Sequence, residues 1–135
     1  MVWLVKISTI TISLFLNDKG NIFGGYSSIP WSNDGGRKYS KDCFLFTLTN
    51  NFDTEPTKFP YYDDGSVYFN SDFGPCFGYY DIKCGQNFND EKTNSLEFPY
   101  SYKDVLGKGK SIFRGDNNKN NNNFILEELE VFELT

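Results

Sequence analysis

The chain has 135 residues and a net charge of −5, with fourteen Phe, nine Tyr and two Trp but neither Ala nor His. That length suits one domain with room for a real core, and the loss of Ala beside many aromatic and β-branched residues favours strands over helices. Without His there is no Ser-His-Asp or Cys-His nucleophilic centre and no His-ligated metal, and an acidic chain lacking a basic stripe argues against a nucleic-acid partner.

Met1–Leu16 is apolar with one charge, Lys6, and is interrupted by Ser8, Thr9, Thr11 and Ser13. It is shorter than the roughly 20 residues of a spanning helix, and no small-residue cleavage site follows, so no membrane insertion is expected. Ile10, Ile12, Leu14 and Leu16 alternate with Thr9, Thr11 and Ser13, which favours a strand over Thr9–Leu16; a signal segment stays open as the alternative. Asn17-Asp18-Lys19-Gly20 has the chemistry of a hairpin turn, and a second strand follows over Asn21–Tyr26. Within it, Gly24 and Gly25 sit side by side in an aromatic run, which a strand tolerates where backbones approach closely or the chain bulges.

Pro30-Trp31 leads into a polar loop, Ser32–Lys41, whose Arg37, Lys38 and Lys41 read as a solvated basic patch before Asp42. Cys43–Thr49 is a nearly continuous apolar run, consistent with a strand buried on both faces. A polar connection over Asn50–Thr57 precedes an edge or strand at Lys58–Tyr62, stopped by Asp63-Asp64-Gly65, and Ser66–Asn70 is a short strand candidate. Gly74-Pro75 and Gly78 mark a bend, after which Tyr79–Cys84 resumes a strand. Gln86–Leu96 reads as loop, Glu97–Tyr102 as a further short strand and Lys103–Lys110 as loose chain. Asp116–Asn123 is a low-complexity insertion expected to be exposed and mobile. The tail Phe124–Leu134 fits a helix, with Ile125, Leu129 and Phe132 on one face, or a strand, favoured by Val131 and Phe132.

The chemistry offered is sparse, and no cofactor or metal site is expected. The doublets Asp63-Asp64 and Glu127-Glu128, with Asp81, are the carboxylates from which an acid pair for glycoside hydrolysis would come. Adjacent strand residues face opposite ways, however, so neither doublet converges without a bulge. Neither Asp116-Asn-Asn-Lys-Asn nor Asp63-Asp-Gly completes a calcium loop, and the glycine-rich pieces lack phosphate-loop spacing. Three cysteines, Cys43, Cys76 and Cys84, without CxxC spacing read as reduced, buried thiols of a cytoplasmic protein, with redox reactivity as the alternative.

Taken in order, several blocks form a pattern. Ile22-Phe-Gly-Gly-Tyr-Ser-Ser-Ile-Pro-Trp31, Asp42-Cys-Phe-Leu-Phe-Thr-Leu48, Lys58-Phe-Pro60, Gly74-Pro-Cys-Phe-Gly78 with Asp81-Ile82, and Phe124–Phe132 resemble the TLDc domain family of oxidation-resistance proteins. The resemblance implies a mainly β (α+β) fold: two antiparallel sheets packed as a β-sandwich with short peripheral helices, and the tail as a strand. It implies a non-enzymatic protein-interaction module, with roles in oxidative-stress protection and in binding V-type ATPase subunits. The residues it singles out are structural: Gly24, Gly25, Tyr26, Pro30, Trp31, Gly74, Pro75, Phe77, Gly78, Asp81, Glu130 and Phe132. Compared with the family's pattern, the chain is expected to be one domain lacking an upstream helix and strand, which would leave an apolar face or sheet edge exposed. The alternative from another class is a small carbohydrate-active or glycan-binding β-sandwich. That reading requires a cleft joining Asp81, Glu128 and aromatic side chains.

Overall fold

A computed structural model describes residues 10–29, 37–39, 42–62, 66–68, 73–85, 94–118 and 120–134. In chain order the elements are β1 (Ile10–Asn17), β2 (Ile22–Ser27), β3 (Arg37–Tyr39), β4 (Phe44–Thr49), β5 (Thr57–Pro60), β6 (Ser66–Tyr68), β7 (Phe73–Phe77), β8 (Ile82–Gly85), the one-turn helix α1 (Ser111–Arg114) and β9 (Leu126–Leu134). They form two antiparallel sheets, one five-stranded in the order β5-β4-β2-β1-β9 and one four-stranded in the order β3-β6-β7-β8.

The β1–β2 hairpin closes as the turn chemistry predicts. Gly20 takes a left-handed φ of +80°, and the Asn17 carboxamide oxygen accepts from the main-chain N–H groups of Lys19 and Asn21 at 3.0 and 2.9 Å. The same buried side chain donates to the Phe113 and Arg114 carbonyls at 2.8 and 3.0 Å, tying the end of α1 to the hairpin. The sheets meet face to face through aromatic side chains: Phe15, Phe23, Leu45 and Phe59 from one share a core with Val67, Phe77, Ile82 and Cys84 from the other. Phe113 of α1 packs against Phe23, Phe59 and Phe98 at centroid distances of 5.0, 5.5 and 4.8 Å, closing one end of that core.

The glycine pair marks two close approaches. Gly25 faces the opposite sheet, where an added Cβ would come within 2.5 Å of the Phe77 ring; Gly24 faces outward, where one would collide with the Ser13 carbonyl oxygen and stand 2.9 Å from Phe46 Cζ.

Several expectations are corrected. Arg37–Tyr39 is a strand, not part of a solvated loop, because pairing with β6 supplies its hydrogen bonds. Arg37 also donates to the Gly78 carbonyl at 2.6 Å and lies 4.0 Å over the Tyr79 ring. Gly74-Pro75 lies inside β7, at the register shift between Phe73 and Cys76, so the pair marks a bulge; the turn comes at Gly78, with φ +67°. Tyr79–Asp81 belongs to that turn and the strand resumes only at Ile82. Glu97–Tyr102 is irregular because the main-chain N–H groups of Tyr100, Ser101 and Tyr102 turn to the Asp81 carboxylate. Asn121–Asn123 is half-buried rather than exposed: Asn122 O accepts from Leu96 N at 2.7 Å, Asn123 bridges Ser95, and Arg114 donates to Asn123 O. The tail is a strand, with Ser13 opposite Val131 and Phe15 opposite Leu129. Residues 1–9, Pro30, Trp31 and the Asp63–Gly65 turn lie outside the described residues.

Candidate functional site

β1 is laid in the sheet with its polar side inward. Thr11, Ser13, Phe15 and Asn17 are buried, while Ile12, Leu14 and Leu16 are only half-buried on the outer face. The register carries that outer row across the sheet. Leu14 stands opposite Gly24 on β2 and Gly24 opposite Phe46 on β4; Ile12 stands opposite Tyr26 and Tyr26 opposite Phe44; on the other side Ile12 meets Phe132 of β9.

The result is an apolar groove of about 630 Å³ across the outer face of the five-stranded sheet. Ile12, Leu14 and Phe46 line it from the middle of the sheet, with Phe44, Leu48 and Pro56 on one side and Phe132 with Glu133 on the other. Tyr26 stacks on Phe44 at 4.9 Å and 11°, and the Lys58 ammonium lies 4.6 Å over the Phe44 ring. Leu48 and Phe132 remain 42% and 45% exposed. β4 is therefore not buried on both faces: Leu45 and Thr47 enter the core, while Phe44 and Leu48 stay accessible on the other side. An exposed apolar surface that is concave and continuous over several strands marks an interaction site more often than scattered apolar residues do.

A second constellation surrounds Asp81 at the β7–β8 turn. Its two carboxylate oxygens accept from Tyr100 N at 2.9 Å, from Ser101 N at 2.9 Å to each oxygen, and from Tyr102 N at 3.1 Å. Ser101 Oγ accepts from Tyr79 N at 2.9 Å, and Gly78 fits beside the pair because a Cβ there would stand 2.5 Å from Asp81 Oδ1. Burial pushes the Asp81 carboxyl above its usual 3.8, against the opposing pull of the Ser101, Tyr102 and Tyr100 N–H groups. This carboxylate is committed to holding the 98–102 segment, in which the Phe98–Pro99 bond is cis.

The other ionisable groups are dispersed. Asp81 follows β7 in the four-stranded sheet, whereas Glu127 and Glu128 are exposed on the edge strand β9 of the other, so the acid pair and the cleft that a glycan-directed site would need are not assembled from them. Glu127 falls at a bulge, since Leu16 pairs with Glu128 and Asn17 with Leu126. Asp116 forms a two-pronged pair with Arg114, both contacts 3.0 Å, and that hydrogen bonding holds its carboxyl below the ordinary 3.8.

Cys43, Cys76 and Cys84 are all buried thiols. Burial pushes Cys76 up to about 12, and burial together with the neighbouring Cys76 raises Cys84 further. A thiol so disposed is a poor nucleophile at neutral pH. An aromatic disulfide reagent should therefore label none of the three cysteines in the native protein within minutes and all three after unfolding. Fast labelling of any of them in the native state would restore the redox reading.

Of the residues singled out in the sequence, Gly24, Tyr26 and Phe132 belong to the groove or its margin, and Glu130 stands exposed on β9 beside it. Gly25, Gly74, Pro75, Phe77, Gly78 and Asp81 are buried in or beside the sheet packing, and Pro30 and Trp31 lie outside the described residues. Ile12, Leu14, Phe44, Phe46 and Leu48 were not singled out as site residues. The available signal was that apolar positions of β1 and β4 occur in greater number than one face of a sheet can bury. Among the described residues, no helix is long and apolar enough to cross a membrane. Residues 1–135 match a family model described as TLDc domain. No curated protein matches the chain.

Proposed function

The chain belongs to the TLDc domain family, and on that premise we propose that it is a non-enzymatic interaction module, docking a protein partner on the outer face of its five-stranded sheet. The role we assign to that docking is the one the family resemblance implies, oxidative-stress protection, binding and regulation of the V-type ATPase, or both, and we place it in the cytoplasm.

The observation that carries this reading is the groove lined by Ile12, Leu14, Phe44, Phe46, Leu48 and Phe132. Its physical support is that these side chains gain little by facing water, and covering them would contribute about 25 cal/mol per Å² of apolar area removed from solvent. The stacked pair Tyr26–Phe44 adds rigid aromatic area at the margin, the kind of surface from which binding hot spots are built.

The test uses the purified catalytic sector of a V-type ATPase and the immobilised chain. Leu48→Asp and Phe132→Asp, both at already exposed positions, are expected to weaken capture by about 30-fold, the effect of losing a hot spot of about 2 kcal/mol. Capture that both variants leave unchanged would remove the groove as the docking face. No capture by the unmodified chain would remove this partner.

A further inference from the structure

We infer that the groove receives an amphipathic α-helix of a partner protein, with an apolar stripe seated on the sheet and Lys or Arg along the flank turned toward β9. The inference rests on the outer face being a docking surface and specifies what docks there.

Size favours a helix. From β5 to β9 the sheet spans four interstrand spacings, roughly 19 Å at about 4.8 Å each. A helix with its side chains is about 10–12 Å across and can lie on that face with its flanks turned toward the two margins, within reach of long charged side chains. An extended peptide would instead add to a sheet edge, where it leaves the face uncovered. The lining is apolar across the sheet through Phe132, Ile12 and Leu14, and Phe44 with Phe46, a width that suits the apolar stripe of an amphipathic helix lying along the strands.

Charge orders the helix. Glu128 and Glu130 share the outer face of β9 with Phe132, and Glu133 also lines the groove. No described cation pairs with any of these three glutamates. On the opposite margin the lining contains Lys58, held over the Phe44 ring. The two margins therefore differ in sign, acidic along β9 and basic at β5. A second copy of this chain seated along β9 would bring the same glutamates against these, which disfavours self-association there.

Two fluorescent designed peptides of about 18 residues, long enough for roughly five helical turns, provide the probe. Both carry the same leucine stripe; one has Lys and the other Glu along one flank. The Lys peptide is expected to bind about tenfold or more tightly than the Glu peptide, with a difference that shrinks as salt rises. Leu48→Asp should weaken both. E128K/E130K should reverse the preference, whereas D18K/E97K, which changes the net charge equally at exposed positions in the β1–β2 turn and the 94–102 segment, should leave it in place. Equal binding of the two peptides, lost in Leu48→Asp, would overturn the charge-ordered helix while leaving the docking face standing. Equal reversal by D18K/E97K would overturn it as nonspecific attraction. Failure of both peptides to bind would overturn the helix itself, as would a protein whose groove is closed by dimerisation in sedimentation equilibrium or opened to peptide only by removal of residues 1–9. The ATPase capture reads docking independently of all these arms.

Discussion

Asp81→Ala is expected to destabilise the folded chain by about 4 kcal/mol, because removing a buried acceptor strands its donors at roughly 1–3 kcal/mol each. Three main-chain N–H groups, those of Tyr100, Ser101 and Tyr102, converge on this one carboxylate. Alanine supplies no acceptor, and Asp81 is fully shielded from water. At this chain length the loss corresponds to a fall in Tm of roughly 10–20 °C. Asp81→Asn retains one oxygen but turns an amide N–H₂ toward the donors, so an intermediate loss is expected. The effect also has a pH sign. Burial holds the folded carboxyl above 3.8, so the stability linked to its protonation is fully present below 3.8 and is lost as pH rises through the folded value. The stability gap between the parent and Asp81→Ala should therefore widen as pH is lowered from 7. Asp116, depressed below 3.8, contributes with the opposite sign, present above 3.8 and lost in acid, but it is common to both proteins and cancels. A gap that narrows in acid would show that the three N–H bonds outweigh burial and that the folded carboxyl lies below its ordinary value.

Gly24→Ala is expected to cost about 3 kcal/mol, at the upper end of what overpacking a well-filled site does. The new methyl would be driven into the Ser13 carbonyl oxygen of the neighbouring strand and toward Phe46 Cζ. The phenyl ring can swing aside; the carbonyl cannot, because Ser13 lies in the middle of β1 between β2 and β9. The gain from stiffening the unfolded chain, about 0.4–1 kcal/mol for Gly→Ala, is too small to offset that. Gly20→Ala is a useful contrast, since a Cβ there meets nothing within 4 Å and only its left-handed φ is strained. Urea unfolding with equal m-values would measure both. A loss at Gly24 no larger than that at Gly20 would contradict the close approach.

The two-glycine signal was legible in the sequence because few physical situations tolerate adjacent glycines in an aromatic strand. Close approach was one of them, and both glycines meet it, against different partners. The β1–β2 hairpin was likewise legible, from alternation and from an Asn-Asp-Lys-Gly turn whose residues supply the hydrogen bonds and the positive φ. The groove was not. Period-two alternation identifies a pleat but does not say which side is covered, and here small polar Thr11 and Ser13 face inward under a close-packed aromatic core while Ile12 and Leu14 face out. β3 escaped because a three-residue strand is too short for any periodicity to register. The Asp81 hub escaped for another reason: its donors lie about twenty residues downstream, in a segment whose local composition resembles a strand.

The pairing of β1 with β9, in which Ile10 lies opposite Leu134 and Thr11 opposite Glu133, has a kinetic consequence. The contacts that add β9 to the larger sheet join segments far apart in the chain, and such contacts cannot repay loop closure until both ends are available. During synthesis at about 5–20 residues per second, the β1–β2 hairpin emerges well before β9, and its outer margin stays open until that strand follows. In that interval the nascent sheet presents an unpaired strand whose two faces carry Ile, Leu and Phe side chains. β9, which follows the other strands of this sheet in the chain, thus acts as the latch that retires an aggregation-prone intermediate.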